Sequence, residues 1–347
     1  MIIIGCDLHT RFQQIAMLDT ETGEVVERRL EHEDGEGKRF YQELEPPVLV
    51  GIESTGYTLW FAKMMSELGH ELVVGDAAKI RASETRKQKH DRRDAWHIME
   101  LLAEGKFPRL WLPSMEEREV RVLLEHRHQL VQLRTRAKNG LQAVALNHGL
   151  RRRRQLWTAA GLRWLQSLPV GEGTKWRRED LLQLLHQLDG WVDNLDDRLL
   201  AEVERRPEAQ RLMTHPGVGP LTALATVLVL GPVDRFSEVR QVTSYVGLIP
   251  AEESSGGGQR FGHLTKQGNR LLRFLLVEAG QTASRIDPGL RRTYKRLTFR
   301  KGRSIAKVAI ARKLVIRLYI MLRDQIDYAE FCRRGSHAGM LGEVALA

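Results

Sequence analysis

Two short apolar runs near the N-terminus, each closing on an acid, constrain this chain more than any other feature. Ile2 to Leu8 carries Asp7 near its end, and Val48 to Ile52 stops at Glu53. Runs of this length bounded by turn signals read as buried central strands, with the acid emerging at the sheet edge. Between them, Phe12 to Leu18 and Glu24 to Leu30 are strand-like segments around the turn signal Asp19 to Gly23. A polar helix candidate spans Gly35 to Leu44 and is broken by Pro46-Pro47. Gly56 to Leu68 then reads as a helix and Glu71 to Val74 as a fifth strand.

Three strands, helix, strand, helix, strand is the RNase H-like order, which predicts an α/β, RuvC-like domain over residues 1–112. In such a sheet, parallel neighbours bring strand-end side chains to one edge, which would gather Asp7 and Glu53. Asp91 and Asp94 open a helical stretch running to about Leu102, and their i, i+3 spacing puts both carboxylates on one helical face. Four converging carboxylates repel unless divalent cations neutralise them, so the expectation is a pair of Mg²⁺ ions, with Mn²⁺ able to substitute. One ion would activate the attacking oxygen and the other stabilise the leaving oxygen. Any one of these acids alone reads better as a solvated charge; their joint placement favours a site. Gly5-Cys-Asp7-Leu-His-Thr10 also resembles the first phosphate motif of actin-like sugar kinases and chaperone ATPases. Those proteins want glycine where His9 stands, and no second glycine-rich Asp strand follows, so an ATPase is the minor alternative.

The charge balance fits a polyanionic partner: Lys plus Arg number 54 against 44 Asp plus Glu, a formal net charge of +10 over 347 residues. With 42% hydrophobic residues, the chain can supply cores for two or three domains. Cys6 and Cys332 are too few for a disulfide framework or zinc cluster, and Cys6 reads as a core residue. There is no basic leader and no apolar stretch of membrane-spanning length, so the expected location is cytoplasmic, associated with the nucleoid.

Residues 113–206 read as a helical coiled-coil, oligomerisation and nucleic-acid-binding region. Val120, Leu123, Leu124, Leu130, Leu133, Ala137, Leu141 and Val144 recur at helical spacing between Glu116 and Leu150. A second stripe, from Leu181 to Val203, is heptad-like. The link between them carries Arg151, Arg152, Arg153 and Arg154 and, with Arg134, Arg136 and Lys138 before it, suits phosphate neutralisation. Trp157, Trp164, Trp176 and Trp191 read as core or interface anchors rather than base-stacking residues.

Residues 207–332 form the expected C-terminal domain, mainly helical, followed by a frayed tail over 333–347. Thr214-His-Pro-Gly-Val-Gly-Pro-Leu-Thr-Ala223 resembles a helix-hairpin-helix turn, in which glycines let backbone N–H groups reach a DNA phosphate. Ile305 to Arg323 reads as a core helix. Three further motifs follow the turn: Tyr245-Val-Gly-Leu-Ile-Pro250, Ser254-Ser-Gly-Gly-Gly258, and Gly268-Asn269 leading to Leu272-Arg273.

Together with Asp7, Gly51-Ile-Glu-Ser-Thr-Gly56 and the Lys89-to-Ala95 block, these motifs resemble the DEDD-type transposases of the insertion sequence one-ten family, understood as bridge-RNA-guided serine recombinases. The resemblance spans about Ile4 to Leu322. It departs at His90, where the family often has Thr or Asn, and leaves the carboxylates untouched. It implies DNA cutting and rejoining for insertion-sequence mobility, with Asp7, Glu53, Asp91 and Asp94 as metal ligands and Ser255 as nucleophile. Ser254 is the neighbouring competitor, and the residues alone read as a flexible turn with no activating His or Lys beside either hydroxyl. The resemblance further implies donor and target DNA, an element-encoded guide RNA, and a dimer or tetramer in which another protomer's metal meets the serine. Arg260, Lys266, Arg270 and Arg273 would hold the phosphate backbone. The alternatives are a structure-specific nuclease of the Holliday-junction type using metal-activated water, and a nucleic-acid-binding scaffold with a degenerate acid cluster.

Overall fold

The computed structural model describes residues 1–56, 58–84, 90–151, 155–252 and 261–335. The chain divides into two compact units, Met1–Met115 and Glu116–Ala347.

The first unit is a five-stranded sheet with helices. Its elements are β1 (Ile2–Leu8), β2 (Phe12–Asp19), β3 (Val25–Glu31), α1 (Glu36–Gln42), β4 (Leu49–Glu53), α2 (Leu59–Glu67), β5 (Glu71–Gly75), α3 (Ala77–Ser83) and α4 (Asp91–Ala103). The sheet order is β3-β2-β1-β4-β5. β1, β2 and β3 pair antiparallel as a meander, whereas β4 lies parallel to β1 and β5 parallel to β4. β1 and β4 sit inside the sheet with apolar residues on both faces, which is why they read as unbroken apolar runs instead of alternating ones. One face buries Ile4, Cys6, Val50 and Ile52 with Phe61 and Met65 of α2. The other buries Ile3 and Val73 with Ala95, Ile98, Met99 and Leu102 of α4.

The second unit is mostly helical: α5 (Met115–Asn147), α6 (Ala159–Gln166), α7 (Glu172–Glu204), α8 (Pro207–Met213), α9 (Pro220–Leu230), α10 (Val239–Tyr245), a hairpin of β6 (Pro250–Glu252) and β7 (Phe261–Leu264), α11 (Arg270–Ile286), α12 (Pro288–Lys301), α13 (Arg303–Arg323) and α14 (Tyr328–Arg334). α5 and α7 run antiparallel. Arg127 forks onto both Asp196 oxygens at 2.7 and 3.0 Å, and Arg134 reaches Asp189 at 3.2 Å, so rising positions on one helix meet falling positions on the other. Their seam buries Leu130 and Ala137 against Leu188, Val192 and Leu195, the heptad stripe expected. Trp176 and Trp191 depart from the core reading: they are 64% and 52% exposed. Trp191 immediately precedes the buried Val192, about 100° around the helix from the seam.

The main core of this unit joins α8, α9, α11 and α13, with Leu228, Leu276, Leu314 and Leu318 fully buried. The turn between α8 and α9 was expected to present glycine backbone to a phosphate. Gly217 instead faces inward at φ 85°, where a Cβ would lie 2.5 Å from the Ala283 nitrogen and 2.7 Å from the Ala279 oxygen. Its missing side chain lets the turn lie against α11.

Beneath that turn is a buried polar knot. Asp287 accepts from the Arg317 guanidinium at 2.9 Å and from the Tyr328 hydroxyl, and caps α12 through the Leu290 N–H. Against the cost of burial, these donors hold its carboxyl down to about 2. His215 stacks edge-on to Tyr328 and donates from Nδ1 to the Pro216 carbonyl at 2.9 Å; burial pushes its imidazole down to about 4. The unfolded chain therefore takes up a proton on this histidine near pH 6.5 and the folded chain only near 4, so stability from neutral His215 is intact above 6.5 and declines as pH falls toward 4. The loss is at most about 3 kcal/mol. Urea denaturation at several pH values is expected to show this slope, and His215→Gln to flatten it.

Candidate active site

Each predicted acid lies on the element expected for it. Asp7 is the penultimate residue of β1 and Glu53 the last of β4, on strands that pair in parallel up to Cys6 and Ile52. Asp91 and Asp94 stand in the first turn of α4, whose N-cap His90 accepts the Arg92 N–H at Nδ1. The positive end of a helix dipole favours carboxylates there.

α4 reaches the sheet edge because Gly5 lets it. A Cβ on Gly5 would lie 2.1 Å from the Ala95 oxygen and 2.4 Å from the Met99 nitrogen, so the helix backbone rests directly on β1. Gly5→Ala must push α4 outward and carry Asp91 and Asp94 with it. Overpacking of this kind costs about 1–3 kcal/mol. Thermal denaturation is expected to show a fall of several degrees, together with weaker Mn²⁺ binding in a calorimetric titration.

Asp7, His9 and Asp91 are drawn together, with ligand atoms all within 4.8 Å of one another. His9 Nε2 lies 3.1 Å from Asp7 Oδ2 and 3.7 Å from Asp91 Oδ2. The Asp7 carboxyl is pushed above its ordinary range by burial and by the negative charges of Asp94 and Asp91, against the opposing pull of His9. Glu53 is outside this tight trio and pairs with Arg81 of α3 at 3.8 Å.

The sequence reading missed His9 and Arg81. In the sequence His9 stands out only as the wrong residue for a phosphate loop, although its position two residues after Asp7 is visible. Arg81 sits on a helix with no apolar periodicity to announce it.

This donor set fits a divalent cation. It offers carboxylate oxygens with one imidazole, and its crowded charge disfavours ionised Asp7 unless a cation enters.

In the second unit, Ser254, Ser255 and Arg260 lie outside the described residues, as do Arg152, Arg153 and Arg154. The strand residues bracketing the serine segment, Glu252 and Phe261, pair across the β6–β7 hairpin. The motifs around it form a scaffold. At Gly247, a Cβ would meet the Gln267 oxygen at 1.9 Å, and at Gly268 it would meet the Tyr245 oxygen at 2.0 Å, so two loops press backbone to backbone. Asn269 caps α11 by accepting the Leu272 N–H at 2.8 Å. Arg273 binds the carbonyls of Val246, Gln267 and Gly268 at 3.1, 2.7 and 3.0 Å, which commits its guanidinium to the loops. Arg151, Lys266 and Arg270 are exposed.

Comparison with known proteins gives the site its context. Residues 4–148 match the DEDD transposase family of IS110 type, and residues 209–295 match the transposase IS116/IS110/IS902 family. A probable family 20 transposase of Pseudomonas aeruginosa is 28% identical over 94% of this chain and 98% of its own length. The transposase for insertion sequence element IS1111A of Coxiella burnetii is 28% identical over 70% of this chain and 69% of its own. The transposase for IS1328 of Yersinia enterocolitica is 27% identical over 68% of this chain and 71% of its own.

The protein is thus an enzyme that moves DNA, a transposase serving insertion-sequence mobility. It belongs to the IS110 family of DEDD transposases, as the motif order implied. DNA is its partner, and the family implies use of a divalent metal. No helix among the described residues is long and apolar enough to cross a membrane.

Proposed function

We propose that this transposase cuts and rejoins DNA with a four-carboxylate metal site on an RNase H-like domain over residues 1–112 and a serine nucleophile at Ser255. The observation that carries the reading is the gathering of Asp7, His9 and Asp91 at the sheet edge, with Asp94 close enough to raise the Asp7 carboxyl. A pair of Mg²⁺ ions, or Mn²⁺ in their place, would supply charge neutralisation to the reacting oxygens when bound. Asp7, Asp91, Asp94 and Glu53 are the residues that would hold them. Arg81 keeps Glu53 neutralised until a cation competes for it. His9 orients Asp7 and Asp91 by sitting between them.

The serine needs activation from outside its own segment, because its hydroxyl is a weak nucleophile at its ordinary pKa. In a dimer or tetramer, the serine of one copy meets the carboxylate site of another. Residues 207–332 form the domain that carries the serine, 113–206 the coiled-coil and oligomerisation region, and 333–347 a tail. Lys266, Arg270 and the Arg151–Arg154 run neutralise phosphates, and Arg273 positions the loops beside the serine segment. Target choice falls to an element-encoded guide RNA, with the protein reading backbone shape.

The test is a strand-transfer assay on DNA carrying the element's ends, with its flanking transcript present. Metal-dependent joined products with a protein–DNA adduct are expected. Hydrolysed, unjoined ends without adduct would favour the water-activating nuclease instead.

A further inference from the structure

We propose that the outward face of α12 is a binding surface for DNA at a step where bases are unstacked, with Phe299 lying against an exposed base and the surrounding arginines and lysines on the flanking phosphates.

α12 holds six basic residues in fourteen and no acid, and buries only Leu290. At about 100° per residue, Arg291, Lys295, Phe299, Arg292, Arg296 and Arg300 fall within one half of its circumference, with Phe299 near the middle. Phe299 is 94% exposed. A scattered exposed apolar residue means little, but a fully exposed ring at the centre of a cationic arc is a different arrangement. Among the described residues, no carboxylate lies within 4.0 Å of any cationic group on this arc. Like charges concentrated without counter-charges raise the local potential and attract a polyanion.

Clefts border the helix on both sides. One, of about 830 Å³, is lined by Arg292, Arg296 and Lys313, with Arg317 at its floor paired to Asp287; the other, of about 480 Å³, by Arg285, Arg291, Tyr294 and Lys295. Cations in both clefts can follow a phosphodiester backbone along either side of the ring.

The ring decides the kind of DNA. Intact duplex hides its base faces in the stack and gives Phe299 no partner. An opened or kinked step exposes a face for stacking or admits an apolar wedge. Strand exchange creates such steps, so the surface suits the substrate this enzyme must handle.

Anisotropy titration of the full-length protein with a labelled duplex, and with the same duplex carrying a central unpaired bubble, tests this. Wild type is expected to prefer the bubble, and Phe299→Ala to lose about tenfold in bubble affinity with duplex affinity unchanged. Phe299→Trp should restore the preference. The double variant Arg292→Glu with Arg296→Glu should weaken both and reduce the slope of log K against log salt by about two. Undiminished bubble preference in Phe299→Ala would overturn the proposal. So would a drop in oligomer mass by light scattering in that variant, which would make the ring a contact between copies. Tighter binding of single-stranded RNA than of single-stranded DNA of the same sequence, lost in Phe299→Ala, would likewise replace DNA as the occupant.

Discussion

Asp7→Asn is expected to slow DNA strand cleavage by about a thousandfold or more, since losing a metal's charge stabilisation removes several kcal/mol and each 1.4 kcal/mol is about a factor of ten. Stability should move the other way. Burial and the charges of Asp94 and Asp91 raise the folded-state carboxyl above its unfolded value, so ionised Asp7 opposes folding at neutral pH, and the opposition fades as pH falls through the raised pKa. The metal-free Asn variant is therefore expected to be as stable as wild type or slightly more so. Mg²⁺ should raise the melting temperature of wild type and leave that of the variant unmoved, because only a ligand that binds the folded state stabilises it. Full activity with an unchanged metal response would remove Asp7 from the site.

The second large effect is expected at Ser255. Ser255→Ala should abolish the covalent protein–DNA adduct that survives denaturing electrophoresis, while Ser254→Ala retains it. Folding should be intact in both, since the main core of the second unit is built from α8, α9, α11 and α13. Binding of DNA should also persist, as phosphate contacts come from separate cations. An adduct of undiminished yield in Ser255→Ala, lost in Ser254→Ala, would move the nucleophile by one residue. Its retention in both single variants and in the double variant would end the covalent reading.

Much of the first unit was legible because its signals are local. Asp7 and Glu53 end apolar runs, and a run buried on both faces can hardly be anything but a central strand. The glycine that makes the site possible was not legible. Gly5 looked like one more small residue in a strand, and only the crossing of α4 shows that its hydrogen is all the space allows. His9 was visible yet misjudged, since its partner Asp91 is more than eighty positions away and sequence spacing says nothing about that approach. In the second unit the two long helices announced themselves through Leu and Val stripes. α11 was read only through its opening Leu272-Arg273 motif, although Leu272, Leu276, Ala279 and Ala283 recur at helical spacing and form its buried face. α12 was invisible because it buries one leucine and shows cations on the rest of its surface. Gly217 pointed to a close backbone approach, and Gly247 and Gly268, visible in the sequence only as motif residues, turn out to allow one as well. What comes close is the protein's own backbone, a distinction only the fold supplies.

The most direct measurement is Mn²⁺ anomalous scattering from crystals of the protein soaked in that ion. Anomalous density in contact with the carboxylates of Asp7 and Asp91 is expected, and it should vanish in Asp7→Asn. Density confined to other acids, with Asp7 and Asp91 bare at saturating Mn²⁺, would contradict a metal-dependent catalyst at this sheet edge.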